Sequence, residues 1–267
     1  MHGRSLRPPT GLPTPARALL LAFGLGLGLF STPASPAAAW SEATRHDLAL
    51  RARDLAPPDL ARQLHRHETE WLTGARGAAG RAELAPREAA SGLATALRAA
   101  VEAVREHRPM AVVAARMGAL AGFAAELNDP LSRSARDPRL ARLAPDFERY
   151  VDSARGRFTP VFYGLDRGLG ERGGVEALAH RALARGAPLR SAIAREYERV
   201  GYRPGREAFD DRSTAFAVGA IAYSRALTDT VQLLRHAWIQ AGGADLPGRL
   251  HASGGPIVRL APARRAR

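Results

Sequence analysis

The chain contains no cysteine and no lysine. The first absence excludes disulfides, thiolate metal sites and cysteine nucleophiles, so any metal has to be held by His, Asp, Glu or backbone groups. Other absences narrow the chemistry further. No Gly-x-Ser-x-Gly elbow is present, and Ser224, Asp229 and His236 lie on one helical stretch, where they cannot converge as a triad does. The stretch His67-Glu68-Thr69-Glu70-Trp71 lacks a second histidine four residues on, so it is not the zinc protease motif. Gly168-Leu169-Gly170 has no third glycine where a phosphate loop needs one. After the first thirty residues no run is long and uncharged enough to span a bilayer.

What is present begins with an export pattern. Arg4, Arg7 and Arg17 give a positive start, Ala18 to Phe30 is apolar, Pro33 and Pro36 break the run, and Ala37-Ala38-Ala39 supplies small residues. This predicts a cleavable leader over 1–39, a mature protein beginning at Trp40, and a periplasmic or extracellular location. The leader holds three of the 39 basic residues and none of the 26 acids, which leaves a formal charge of +10 on the remainder. Since every basic residue is arginine, the excess points either to a polyanionic partner or to the drift of a GC-rich genome.

Beyond the leader, helical patterns alternate with Pro and Gly. Ser41 caps a first helix, and Pro57-Pro58 starts a second in which Leu60, Leu64 and Trp71 share a face. Residues 73–85 read as a loop, and a third helix follows Pro86. Met110 to Leu127 is apolar almost all round, the mark of a buried helix, and Asn128-Asp129-Pro130 stops it. Pro145 divides the next segment, and two modest helices cover about 174–185 and 189–200. The longest helix starts at Asp211 or Ser213 and ends at Gly242-Gly243. No strand or hairpin signal stands out. The reading is an all-α, single-domain multi-helix bundle over 40–243, with two buried central helices and a flexible basic tail over 244–267.

One constellation carries chemistry. A freed Trp40 offers an amine and a carbonyl to a metal, and His46 follows six residues later. Further on stands Gly122-Phe123-Ala124-Ala125-Glu126-Leu127-Asn128-Asp129-Pro130-Leu131-Ser132, and then Phe147-Glu148. In these residues the chain resembles the zinc-dependent phospholipase C and single-strand-specific nuclease superfamily, secreted all-α hydrolases of phosphoester bonds. Members read "HYxxDxxxPxH" along one helix, then His-x3-Glu, and hold three zinc ions with the help of an N-terminal tryptophan. Here Gly122, Ser132 and Ala144 stand where histidines belong, and Glu126 replaces an aspartate.

The resemblance implies metal ligands at Trp40, His46, Glu126 and Glu148, with one zinc ion rather than three, or none. It implies substrate contacts at Phe123, Asp129 and Tyr150. No catalytic residue is assigned. Glu126 has two readings: a metal ligand, or a partly wet helix-end carboxylate paired with an arginine. Two functions follow. One is an exported phosphoester hydrolase with a degenerate site. The other is a non-catalytic envelope binding or scaffold protein whose arginines meet phospholipid, nucleic acid or another polyanion.

Overall fold

The computed structural model describes residues 40–77 and 84–245, with the backbone pairs 251–252, 255–256 and 258–259. The expected leader over 1–39 lies outside the described residues, as do 78–83 of the expected loop. The rest is an all-α bundle: α1 (Glu42–Leu55), α2 (Pro58–Arg66), α3 (Glu68–Arg76), α4 (Pro86–Arg105), α5 (Met110–Asn128), α6 (Pro138–Ala154), α7 (Gly174–Arg199), α8 (Gly205–Ala208) and α9 (Thr214–Gln240). The apolar helix α5 runs through the middle and packs on α3, α4 and α9. Contrary to the expectation that no run past the first thirty residues could span a bilayer, α5 is long and apolar enough to do so by length and composition. Most of it is buried in the bundle, however, and every residue from Leu120 to Asn128 is buried.

Local signals set most boundaries. The Ser41 hydroxyl accepts from the Thr44 amide at 2.9 Å and caps α1. Pro58 and Pro86 occupy first-turn positions, where a missing N–H costs nothing. Between the two expected caps of α9, Ser213 is the one used, accepting from the Phe216 amide at 3.1 Å.

Four boundaries differ from expectation. The helix expected after Pro57 breaks at His67, which leaves helical geometry (φ −115°, ψ 42°) between α2 and α3, although Leu60, Leu64 and Trp71 all remain fully buried. Helix α3 continues to Arg76, into the segment read as a loop. Pro145 lies inside α6 and Pro188 inside α7, so neither divides its helix. Both prolines are exposed, which lets water take up the carbonyl one turn back that each ring leaves unbonded.

Short strands also occur where none was expected. β1 (Val161–Phe162) pairs in parallel with β4 (Val258–Arg259), and β2 (His251–Ala252) pairs antiparallel with β3 (Gly255–Pro256). The segment read as a loose tail therefore returns to the bundle at β4. Asp245, just past the expected domain boundary, takes the Arg235 Nε at 2.7 Å.

Two packing devices hold the centre. Helices α3 and α5 cross with their backbones in contact. A Cβ on Gly74 would fall 2.1 Å from the Ala115 carbonyl oxygen, and one on Gly118 would fall 2.1 Å from that of Trp71. On the other side of the core, α9 carries a row of side chains that receive amides from the extended segment 161–166. The Val161 amide donates to Ser224 Oγ (3.0 Å), that of Tyr163 to Thr228 Oγ1 (3.1 Å) and that of Asp166 to Gln232 Oε1 (2.7 Å). The segment thus pairs with β4 over two residues and satisfies three of its donors on a helix face.

Candidate functional site

The start of α1, the end of α5 and the middle of α6 meet at one point. Trp40 is buried, and its indole Nε1 donates to the Ala125 carbonyl at 3.0 Å. One turn on, Asp152 of α6 fastens α1: its Oδ1 accepts from Ser41 Oγ, from Thr44 Oγ1 at 2.7 Å and from Arg155 Nη1 at 2.8 Å. These contacts aim Arg45 at the end of α5, where its Nη1 lies 2.9 Å from Glu126 Oε1.

Three carboxyl groups surround that guanidinium electrostatically. Glu126 is 1% exposed. Asp129 is 2% exposed; its Oδ1 accepts from the Leu131 amide at 2.8 Å, and its Oδ2 has no hydrogen-bond partner among the described residues. Burial first, then the charge of Glu126, holds the Asp129 carboxyl well above the usual carboxylate range, with Glu148 adding to the rise and Arg45 opposing it. Glu148 is half-buried and is also raised, by desolvation and then by Asp152, again against the pull of Arg45. Arg45 is the shared counter-ion of the group.

Of the residues singled out in the sequence, Trp40, Glu126, Asp129 and Glu148 come together here. His46 does not. It is exposed, because one residue along a helix turns a side chain by about 100° and Arg45 already faces inward. Phe123 is a core residue, its ring tip 3.0 Å from where a Cβ on Gly92 would stand. Tyr150 points to the other side of α6, edge-on to Phe209 with centroids 5.2 Å apart. Neither lines the cluster. Glu126 is paired with an arginine, but it is fully buried rather than partly wet.

The zinc ligands implied by the resemblance can be tested on these neighbours. Gly122, standing for a histidine, borders a cavity of about 10 Å³ with Arg45, Ala121, Ala125 and Thr230. That holds at most one water and has no room for an imidazole. No group of three or more His, Asp or Glu residues converges closely enough to hold a metal ion among the described residues. With Arg45 on Glu126 and no imidazole at the cluster among the described residues, the side chains gathered there do not fit a zinc ion.

Arginines that the sequence reading did not single out complete the surroundings. Asn128 Nδ2 donates to Asp229 Oδ2 at 2.9 Å, and Arg185 bonds both Asn128 Oδ1 (3.1 Å) and Asp229. Arg190 Nη1 reaches the Pro130 carbonyl at 3.3 Å, and burial lowers its basicity. No sequence signal marks these two arginines among so many. No protein-family model matches the chain, and no curated protein matches it either.

Proposed function

We propose that the chain is an exported, non-catalytic helical scaffold that binds polyanions through arginine, with Arg45 as a fixed internal cation among carboxyl groups. The observation that carries this reading is the Arg45–Glu126 ion pair at 2.9 Å, in the place where the resemblance calls for a metal ion. A guanidinium cannot lose its proton to become a base, and it neutralises Glu126 without an open coordination position. The cluster is therefore suited to holding α1, α5 and α6 together rather than to activating water. Export is supported by the leader pattern over 1–39, and polyanion binding by the surplus of arginine over acid.

The hydrolase reading keeps one observation in its favour, the buried Asp129 Oδ2 that accepts no hydrogen bond among the described residues. Elemental analysis of the purified chain, beside its retention on immobilised heparin and polyphosphate across a salt gradient, separates the two. The scaffold reading expects far less than one zinc per chain and metal-independent retention that falls steeply with salt. About one zinc per chain, lost on Glu126→Ala, would restore the metal-dependent phosphoesterase reading.

A further inference from the structure

A groove of about 580 Å³ runs along the flank of α6, where the buried Leu143 meets the more exposed Arg139 and Arg142, and the turn between α7 and α8 closes it. Arg139 and Arg142 stand in its wall, one helical turn apart. Among the described residues neither makes an ion pair. Arg139 Nη2 reaches only the Tyr202 hydroxyl, at 3.3 Å, and Arg142 spends its Nε on the Pro138 carbonyl at 3.2 Å. The one carboxylate in the wall, Asp146, is already engaged. Its Oδ2 accepts from the Tyr197 hydroxyl and the Gly205 amide, both at 2.7 Å, and its Oδ1 faces Arg149 at 3.3 Å. Glu198 and Asp137 act on Arg139 from outside the lining without an ion pair among the described residues, so the groove presents two guanidinium groups whose own wall holds no unengaged acid.

Tyr202 forms the rim under conditions that stability does not favour. It follows Gly201 as the second of two left-handed residues, with φ 58°, and 54% of the residue is exposed. A bulky residue in this region is strained, and a ring so exposed recovers little of the cost by burial. Glycine would close the same turn, since the bond that shapes it, from the Tyr202 amide to the Tyr197 carbonyl at 2.8 Å, is made by backbone. Within the fold the side chain's one polar contact among the described residues is the Arg139 guanidinium, which leaves most of the ring face open.

We propose that this groove binds an acidic sugar residue of an anionic polysaccharide, Arg139 and Arg142 holding its carboxylate or sulfate and Tyr202 lying against the sugar ring. Guanidinium forks match flat, doubly accepting anions. An exposed phenol offers an apolar face for the ring and a hydroxyl for its alcohols. A nucleic-acid strand takes a basic groove that follows several phosphates and a series of stacking rings, whereas this lining offers two arginines and one exposed ring, since Tyr197 is buried. A lipid tail would need an apolar floor wider than Leu143 and Pro204. The inference rests on the polyanion reading above and gives it a site.

The test is calorimetric titration of the purified chain, at low salt, with four probes: heparin-derived tetrasaccharide, hyaluronan tetrasaccharide, neutral maltotetraose and a twelve-residue oligothymidylate. The expected result is saturable binding of an acidic tetrasaccharide, at least about tenfold tighter than maltotetraose. Arg142→Gln and Tyr202→Gly should each weaken it by about tenfold or more, with the melting temperature of Tyr202→Gly no lower than that of the parent. Absence of saturable sugar binding, sugar binding indifferent to both substitutions, or oligothymidylate binding that the same substitutions abolish would overturn the inference. If heparin retention persists in any of those cases, the scaffold reading survives without this site; if the parent chain is not retained at all, both fail.

Discussion

Arg45 and Glu126, 81 residues apart in sequence, meet at 2.9 Å in a setting where both side chains are nearly withdrawn from water. Removing one member takes from the other its 2.9 Å ion pair in a nearly dry setting. Arg45→Met and Glu126→Leu should each destabilise the fold by about 3 kcal/mol, whereas the double substitution should cost less than either alone. Chemical denaturation of the three variants checks this. Additive losses would mean that the pair does not act as a unit.

The raised carboxyls predict an unusual dependence on pH. Asp129 has a folded-state pKa above its unfolded value of about 4, so the folded state holds its proton more tightly. Its contribution is most favourable below that value and becomes a penalty as pH rises through the folded pKa. Glu148 and Asp229 are shifted in the same direction, while Glu196, lowered by Arg199, acts oppositely. Asp129→Asn keeps an acceptor for the Leu131 amide and removes the titration. It should gain stability relative to the parent at pH 8 and gain little or none at pH 4. Urea unfolding at the two pH values measures the difference, and an equal gain at both would contradict the assignment.

The α3–α5 crossing makes a steric prediction. Gly118→Ala places a methyl group 2.1 Å from a backbone oxygen and should cost at least about 3 kcal/mol, because neither helix can yield without moving its axis. Gly77→Ala is the control. Its nearest neighbour would lie at 3.5 Å, and alanine favours helical backbone, so its melting temperature should hold or rise.

Asp152 serves three donors from two elements. Asp152→Ala leaves the buried Thr44 hydroxyl without its acceptor and should cost about 2 kcal/mol. The loss should be local, so hydrogen exchange ought to speed up in the first turn of α1 before it does so in α5.

How much of this was legible in the sequence follows from what each signal is made of. Capping by Ser41, the stop at Asn128-Asp129-Pro130 and the burial of most of α5 depend on local chemistry and were readable, whereas the cap of α9 stayed open between Asp211 and Ser213. The break at His67 was not readable, because no Pro or Gly marks it. Pro145 misled, and α7 runs unbroken through Pro188 where two helices were expected, since an exposed proline leaves its freed carbonyl to water. At the site, Trp40, Glu126, Asp129 and Glu148 were singled out, the first, second and fourth as metal ligands beside His46 and Asp129 as a substrate contact, and not as carboxyl groups around an arginine. The choice of Arg45 over His46 could not be read, as adjacent residues on a helix differ only in which way the helix is rolled. The Tyr202 rim escaped notice for a similar reason: sequence does not show the sign of φ.

The row of Ser224, Thr228 and Gln232 on α9 works as a gauge for the segment it holds. Four helical residues advance about 6 Å and two extended residues about 6.6 Å, so Ser224 and Thr228 match Val161 and Tyr163 one for one. From Tyr163 to Asp166 the segment uses three residues for the same helical step, and Gly164, at φ 96°, takes up the excess. This stretch walls a cavity of about 940 Å³ together with His236 and Ile239. An added residue between Val161 and Tyr163 would throw every later amide off its acceptor, whereas one beside Gly164 would only enlarge a bend already there. That bend is where the length of the cavity wall is free to change while the bundle stays as it is.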